Sequence, residues 1–343
     1  MDPSGIASGH IEPLVIIASE KPLEQHATRE PPVFIVGAPR SGTTLLQYML
    51  RSHPRISLPT GESHFIVPLC ANAATFGDLS QMANVRRVLE EMYRRNADFL
   101  DTDLHGVRFD IETLAAQFCE EGRNTLPAIV AGLFEKNAIG EGKRRWGDKT
   151  PYYALHLPQI VEWFPGAQVI HLIRDGRDCA LSLMTRRHDF GVYNSYHAAK
   201  YWQHFVDGGQ TRGRTLGPDQ YIEIRYEDLV AEPRKTMLQI CAFLREEYAE
   251  SLVDFGKAQQ AGKTPLLQKP VQPDNAGKWR SRMSRRQVAV FESAAGGTLA
   301  RLGYPLNTSA QQLPLHIRAA FRAHNRLSAA VHRRMRMLSR RRR

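Results

Sequence analysis

The segment PPVFIVGAPRSGTTLLQYMLRSHP, residues 31–54, combines a strand, a loop and a helix in immediate succession. A β-branched and aromatic run, VFIV, precedes the loop GAPRSGTT, and apolar residues then recur at helical spacing from Leu45 to Leu50. The first N–H groups of a helix lack intrahelical partners, and the helix dipole favours negative charge there. The segment therefore predicts a phosphate-binding loop on an α/β sheet.

This loop differs from the nucleoside triphosphate pattern GxxxxGK[ST] at one position. Thr43 occupies the place of the lysine, and Arg40 supplies a planar, permanently charged guanidinium instead. An ordinary ATP or GTP hydrolase is therefore disfavoured, whereas a kinase-like P-loop transferase and a nucleotide-binding module remain alternatives. The candidate anion ligands in the loop are Arg40, Ser41, Gly42, Thr43 and Thr44.

A second candidate anion site follows the apolar run VIHLI, which ends in Arg174. Ser182 comes eight residues after Arg174 and Arg186 one helical turn later, on the same face of the predicted helix. Ligands of open parallel sheets bind beyond the carboxyl ends of the strands, so this site should adjoin the loop. A purely structural Arg–Asp pair would explain Asp175 and Arg177 but not the other arginines.

These segments together resemble the sulfotransferases that use 3′-phosphoadenosine 5′-phosphosulfate (PAPS). The resemblance rests on PRSGTT after a first strand, a later strand ending in RDGR with a serine eight residues beyond its first arginine, and a downstream RYEDL. It extends over most of residues 31–305 and is greatest to the tyrosylprotein sulfotransferase branch and its bacterial relatives. Further matching segments are GE at 61–62, GDKTP at 147–151, GKW at 277–279 and LGYP at 302–305.

The resemblance implies a fold, a donor and a set of binding residues. The fold would be α/β, a P-loop-like parallel sheet flanked by helices on both faces, with helical insertions and a basic C-terminal helix. PAPS would be the donor, without a metal, and a hydroxyl compound the acceptor. The loop would hold the 5′-phosphosulfate, and Arg174 and Ser182 the 3′-phosphate. Arg186, Tyr226 and Lys278 would lie close to the nucleotide.

The resemblance also assigns catalytic roles, to Glu62 and Lys149 together with Arg40. Glu62 would be the base that accepts the acceptor's proton, with a pKa raised by partial burial, and His64 is the rival base. Lys149 would stabilise the charge that develops on the leaving phosphate. Alternatively, Glu62 merely caps the following helix at 65–69. Convergence of Glu62 and Lys149 would favour an enzyme over a binding module.

Composition and helical pattern indicate one large domain. The chain has 343 residues, 42% of them hydrophobic, and long helical stretches at 81–100, 111–138 and 194–211 separate the strands. We expect a flexible segment at 1–30, a catalytic domain at 31–306 and a tail at 307–343. The four cysteines show no metal-binding spacing, and the N-terminus has no convincing signal peptide, so we expect a cytoplasmic protein with reduced thiols.

The positive charge of the chain is concentrated at its end. No acidic residue follows Glu292, whereas eleven arginines do, which equals the net excess of 46 Lys and Arg over 35 Asp and Glu. Residues 315–338 have amphipathic helical spacing. Such a helix suits an anionic membrane surface, an acidic partner or nucleic acid, while a solvated tail and a homodimer are alternatives.

The sequence contains no pattern that identifies the acceptor. The animal tyrosine-specific enzymes carry a serine-containing cofactor loop before SKW, whereas here the corresponding stretch is AGKTPLLQKPVQPDNAGKW. Lys263, Thr264 and Lys269 are the candidate contacts in that stretch. Peptide tyrosine is therefore one acceptor among several.

Overall fold

A five-stranded, entirely parallel sheet forms the centre of the computed structural model, which describes residues 30–255 and 275–341. The strand order is β2-β3-β1-β4-β5. Residues 1–29 of the predicted flexible N-terminal segment and the candidate contacts Lys263, Thr264 and Lys269 lie outside the described residues. The strands are β1 (Val33–Gly37), β2 (Ile56–Ser57), β3 (Arg145–Lys149), β4 (Gln168–Ile173) and β5 (Tyr221–Arg225).

Helices cover both faces of this sheet, as predicted. The residues of β1 alternate between two hydrophobic cores, Phe34 and Val36 in one, Val33 and Ile35 in the other. A strand buried on both faces is apolar throughout, which is why VFIV shows no alternation. The helices are α1 (Thr43–Arg51), α2 (Ile66–Ala71), α3 (Met82–Asp98), α4 (Ile111–Glu120), α5 (Leu126–Gly140), α6 (Leu157–Trp163), α7 (Gly176–Thr185), α8 (Arg187–Phe190), α9 (Ser195–Gly213), α10 (Tyr226–Ala231), α11 (Pro233–Leu244), α12 (Trp279–Arg282), α13 (Arg285–Arg301) and α14 (Leu315–Arg341).

The predicted helical stretch 111–138 is two helices. The chain turns between α4 and α5 at Gly122, whose φ of 66° lies in the left-handed region that glycine tolerates. Thr125 then caps α5, because its side chain accepts a hydrogen bond from the backbone of Ala128. The predicted stretch is therefore helical on both sides of a short break at 121–125.

The C-terminal helix α14 is confirmed, and its first half packs on the body of the protein. The rings of Phe321 and Tyr196 stack with centroids 5.8 Å apart. Asn325 is buried, accepts a hydrogen bond from Tyr193 N and donates one to Gly191 O, at 2.8 and 2.9 Å. This half is therefore not a solvated tail.

Two further sequence predictions concern cellular surroundings. All four cysteines have free thiols, and Cys179 and Cys241 are buried. No helix in the described part of the chain is both long enough and apolar enough to cross a membrane. Cytoplasmic location stays a prediction.

Candidate active site

The phosphate-binding loop connects β1 to α1 at the centre of the sheet. Gly42 has a φ of 100°, and a Cβ at this position would lie 2.4 Å from the ring of Tyr226, so a larger residue would not fit. Helix α1 has neither a side-chain cap nor an acidic residue in its first turn. The Ser41 hydroxyl is buried without a hydrogen-bond partner among the described residues. The loop therefore has unused donors suited to an anion.

Arg174 stands at the end of β4, on the neighbouring strand. Its guanidinium lies 4.1 Å from the centre of the Tyr226 ring and donates to the carbonyl of Asn275 at 2.5 Å. The Tyr226 hydroxyl in turn accepts a hydrogen bond from Asn275 Nδ2 at 2.6 Å. Arg174 Nε is buried and has no partner in the described part of the chain. Arg174 is thus held in place with donor capacity left for a ligand.

Arg40 joins the loop to the second anion site. Its Nε donates to Ser182 Oγ at 2.8 Å, and its backbone has a φ of 74°. Burial lowers the pKa of the Arg40 guanidinium, and the positive charges of Arg186 and Arg174 lower it further. Arg186 itself is exposed and pairs with Asp189 at 2.6 Å. The two predicted phosphate sites therefore form one continuous surface of crowded cations.

Lys278 lies half-buried at the beginning of α12, beside this surface. The segment is attached to α7 by Asp178, whose carboxylate accepts hydrogen bonds from Gly277 N and Trp279 N at 2.7 and 2.9 Å. Asp178 also lies 3.7 Å from Arg174. Sequence reasoning missed Asp178, although its position four residues after Arg174 was the available signal.

Arg177 and Asp175 are structural, in agreement with the alternative interpretation of the RDGR motif. Arg177 is fully buried and pairs with Asp175 at 2.8 Å and with Glu292 at 2.7 Å. Its guanidinium also lies 3.7 Å from the centre of the Trp279 ring. All its charge is satisfied within the protein, so Arg177 is not available to a ligand.

Glu62 and Lys149 converge on the other side of the loop. Lys149 ends β3 with its side chain only 3% exposed, and Nζ donates to Glu62 Oε1 at 2.6 Å. His64 Nε2 lies 3.0 Å from Glu62 Oε2. Helix α2 begins after Phe65 without a side-chain cap, so the alternative that Glu62 caps this helix is wrong.

The pKa of Glu62 differs from the sequence expectation. Burial acts to raise it, but the hydrogen bond from His64 and the charge and hydrogen bond of Lys149 outweigh burial and lower the pKa from 4.5 to about 2. The prediction that the pKa of Glu62 is raised is therefore wrong. The reason is that two donors share one carboxylate, which a one-dimensional pattern does not reveal.

The backbone around Glu62 is fixed by side chains from three elements. Asn96, which interrupts α3 with φ −155° and ψ 68°, donates to the carbonyls of Glu62 and Ser63 at 2.8 and 3.0 Å. Gln47 of α1 donates to Gly61 O at 3.1 Å, and the Tyr153 hydroxyl accepts from Ile66 N at 3.0 Å. None of these three was predicted, because their partners are backbone atoms far away in the sequence.

A buried carboxylate precedes Lys149 on the same strand. Asp148 precedes Lys149 on β3 and is fully buried. Burial raises the pKa of Asp148 to about 6, against the opposing influence of the Thr150 and Ser63 hydroxyls. Asp148 therefore carries a proton in the folded protein at mildly acidic pH.

Aromatic residues lie beside His64 and Glu62. The hydroxyls of Tyr152 and Tyr201 lie 2.9 Å apart, and the rings of Tyr152 and His64 meet edge to face at 5.6 Å. Burial raises the pKa of Tyr201, and its hydrogen bond with Tyr152 and the charge of Glu62 raise it further. Tyr201 thus interacts electrostatically with Glu62. These tyrosines were not among the predicted site residues.

Comparison with known proteins identifies the class. Residues 31–250 match the sequence model described as the Sulfotransferase family. The chain therefore belongs to the Sulfotransferase family and is a sulfotransferase enzyme, which favours sulfuryl transfer over the kinase-like and binding-module alternatives. No group of three or more His, Cys, Asp or Glu side chains within residues 30–255 and 275–341 is arranged to hold a metal ion.

Individual relatives show what the chain is similar to within this class. It is 28% identical over 218 residues to a protein-tyrosine sulfotransferase of Drosophila melanogaster, covering 62% of this chain but 38% of that protein. It is 24% identical over 310 residues to protein-tyrosine sulfotransferase 2 of Gallus gallus, covering 85% and 74%. Among solved structures, the sulfotransferase domain of the Synechococcus PCC 7002 olefin synthase is 26% identical, with a TM-score of 0.54 and coverage of 79% of this chain and 96% of that one.

Proposed function

We propose that the protein transfers the sulfuryl group of PAPS to an acceptor hydroxyl by in-line displacement. Glu62 acts as the base, and Lys149 assists the leaving phosphate. The observation that carries the proposal is the 2.6 Å contact between Lys149 and Glu62 beside the phosphate-binding loop. A proton acceptor and a cation at one point are what transfer to a hydroxyl requires.

The residues around the loop suit a donor with phosphates at both its 3′ and 5′ ends. The unused Ser41 hydroxyl and the open beginning of α1 would hold the 5′-phosphosulfate, together with Arg40 and the threonines of the loop. Arg174 Nε would serve the 3′-phosphate, with Ser182 beside it. PAPS, when bound, supplies a sulfuryl group on a phosphate leaving group, and this chemistry depends mainly on positioning and cationic stabilisation.

Lys149 and Glu62 would work by exchanging partners. In the structure each neutralises the other, and a carboxylate with a pKa of about 2 is a weak base. If Lys149 turns to the negative charge of the leaving phosphate, Glu62 loses its cation and its pKa rises. Glu62 thereby becomes a stronger base when the donor is in place. His64, on the other carboxylate oxygen, would orient Glu62 during this change.

The donor assignment is tested by calorimetry with adenosine 3′,5′-bisphosphate, AMP and ATP. One or two additional charged hydrogen bonds contribute about 1.5 to 3 kcal/mol each, so the bisphosphate should bind at least about tenfold more tightly than AMP or ATP. Equal affinity for ATP would overturn the assignment. Incubation with radiolabelled PAPS and a fractionated extract would then identify acceptors by transfer of label.

A further inference from the structure

Helix α14 presents one face to the protein and a different face to solvent. Phe321, Asn325 and His332 form the packed face, and the ring of His332 stacks on His188 of α8 with centroids 3.8 Å apart. These positions recur at spacings of four and seven residues, which follow one side of a helix. The packing therefore fixes the rotation of α14 about its axis.

An apolar ridge follows a neighbouring side of the same helix. In the second half of α14 it consists of Leu327, Val331 and Met335, whose exposed fractions are 67%, 62% and 65%. At 100° per residue the ridge lies roughly 100° around the axis from the packed face, so these side chains point away from the body. Three large apolar side chains at successive turns form a continuous exposed stripe.

In the first half of α14 the same ridge borders a groove. Ile317 and Ala320 line a cavity of about 800 Å³ between α14 and α13, where Val290 and Ala289 form the opposite wall. Arg286 contributes a positive charge to the lining. The apolar surface of this groove and the exposed stripe thus lie on the same side of α14, with His324 between them.

The charge around the ridge is of one sign. Arg322, Arg326 and Arg333 follow the side of α14 opposite the ridge, and Arg334 lies beside Leu327 and Val331. No acidic residue occurs anywhere after Glu292. A second copy of the chain on this surface would bring two such arginine-rich helices together, which like-charge repulsion disfavours. The surface is therefore complementary to an extended anionic, partly apolar partner.

We propose that the second half of α14 docks on an anionic membrane surface, with Leu327, Val331 and Met335 entering the interface. A helix that carries an apolar stripe and many arginines binds in the plane of such a surface through both contributions. Arg334, beside the stripe, reaches lipid phosphates and serine headgroups on its long side chain, and the arginines on the opposite side add attraction to the negative surface potential. The first half of α14 remains on the body and anchors the enzyme to the bound helix.

The test is sedimentation of the full chain with vesicles of phosphatidylcholine alone and with about 30% phosphatidylserine. The parent protein should sediment only with the anionic vesicles, and raising the salt should weaken binding because surface charges are screened beyond about 8 to 10 Å at 0.10 to 0.15 M ionic strength. The triple change Leu327→Ser, Val331→Ser and Met335→Ser should weaken partitioning about tenfold or more.

A matched control variant tests whether the loss of vesicle binding is specific to the stripe. Met82→Ser, Ile139→Ser and Leu238→Ser also replace three exposed apolar side chains, at 44%, 72% and 46% exposure, and should leave partitioning unchanged. Point changes are preferable to truncation after Leu306, because truncation would remove the hydrogen bonds of Thr308 to Glu292.

Two outcomes would overturn the proposal. The first is equal sedimentation of the parent with both kinds of vesicle, or of the stripe variant and the parent with anionic vesicles. The second is a parent that ignores vesicles but is dimeric by light scattering while the stripe variant is monomeric, which would assign the stripe to a second copy of the chain.

Discussion

The two sides of the candidate active site differ in how their charges are paired. On the Glu62 side, the carboxylate is shared between Lys149 and His64 at 2.6 and 3.0 Å. On the arginine side, formed by Arg40, Arg174 and Arg186, the cations approach closely enough for their charges to lower the pKa of Arg40. One side is internally neutralised. On the other side Arg186 pairs with Asp189 and Arg174 lies 3.7 Å from Asp178, so the excess positive charge is that of Arg40, which donates to the uncharged Ser182 hydroxyl.

This difference separates binding from chemistry. A surface of crowded cations is preorganised for an anionic ligand, because ligand binding relieves their mutual repulsion. The neutralised pair of Glu62 and Lys149 adds little to ligand affinity as long as the two side chains remain paired with each other. Changes on the Glu62 side should therefore affect turnover, and changes on the arginine side should affect nucleotide affinity.

The largest effect is expected for Glu62→Gln, which keeps the size of the side chain but cannot accept a proton. Turnover should fall by roughly 10² to 10⁴ while calorimetric nucleotide affinity stays nearly constant. His64→Asn, the matched change on the same carboxylate, should be milder. If His64→Asn instead abolishes turnover, the assignment of Glu62 as the base is wrong, although the proposal of sulfuryl transfer is unaffected.

Asp148→Asn should stabilise the protein at neutral pH. The folded-state pKa of about 6 exceeds the unfolded value of 3.8, so the folded protein binds this proton more tightly and loses stability as pH rises from about 4 to 6. The variant should gain about 3 kcal/mol in free energy of unfolding at pH 7 and almost nothing at pH 3. Urea denaturation at both pH values measures this, with the exposed Glu120→Gln as control. An equal change at both pH values would contradict it.

Arg174→Gln should weaken binding of adenosine 3′,5′-bisphosphate about 10- to 100-fold and leave AMP binding almost unchanged, because only the bisphosphate carries the group that Arg174 is proposed to bind. Arg187→Gln, an exposed arginine on the following helix, is the matched control. Calorimetry measures both affinities. A parallel loss for AMP would mean that Arg174 only holds the Tyr226 ring in place.

Arg186→Gln should have the smallest effect. Arg186 is exposed and already pairs with Asp189, so screened electrostatics limit its contribution to about a two- to fivefold loss of bisphosphate affinity. The loss should diminish at high salt, unlike that of Arg174→Gln. A salt-independent loss of more than about tenfold would mean that Arg186 contacts the ligand directly.

Local sequence patterns predicted the elements that carry the arginine side. Arg40 and Arg174 each follow a short apolar strand, and the register of parallel strands brings such ends together, so the strand pattern was enough to predict their proximity. β3 was not predicted as a strand, because RWGDK is fully buried despite its charges and has neither alternation nor an apolar run. It is a strand because it pairs with β1 and β2.

The Glu62 side was predicted only in part. The resemblance to sulfotransferases named Glu62 and Lys149, and the structure brings them together. The support from Asn96 and Gln47 and the low pKa of Glu62 were not predicted. Hydrogen bonds to backbone carbonyls place no demand on residue spacing, so they leave no periodic pattern to recognise.

The sequence by itself determined the strand–loop–helix order, the excess of arginine and the basic amphipathic helix, because these depend on neighbours within a few residues. Only the tertiary structure decided which charges are neutralised. Arg174 and Arg177 are three residues apart, yet one retains an unused donor and the other is fully paired with Asp175 and Glu292. A side chain's charge state and availability depend on atoms that folding brings from distant parts of the chain, over distances of a few ångströms.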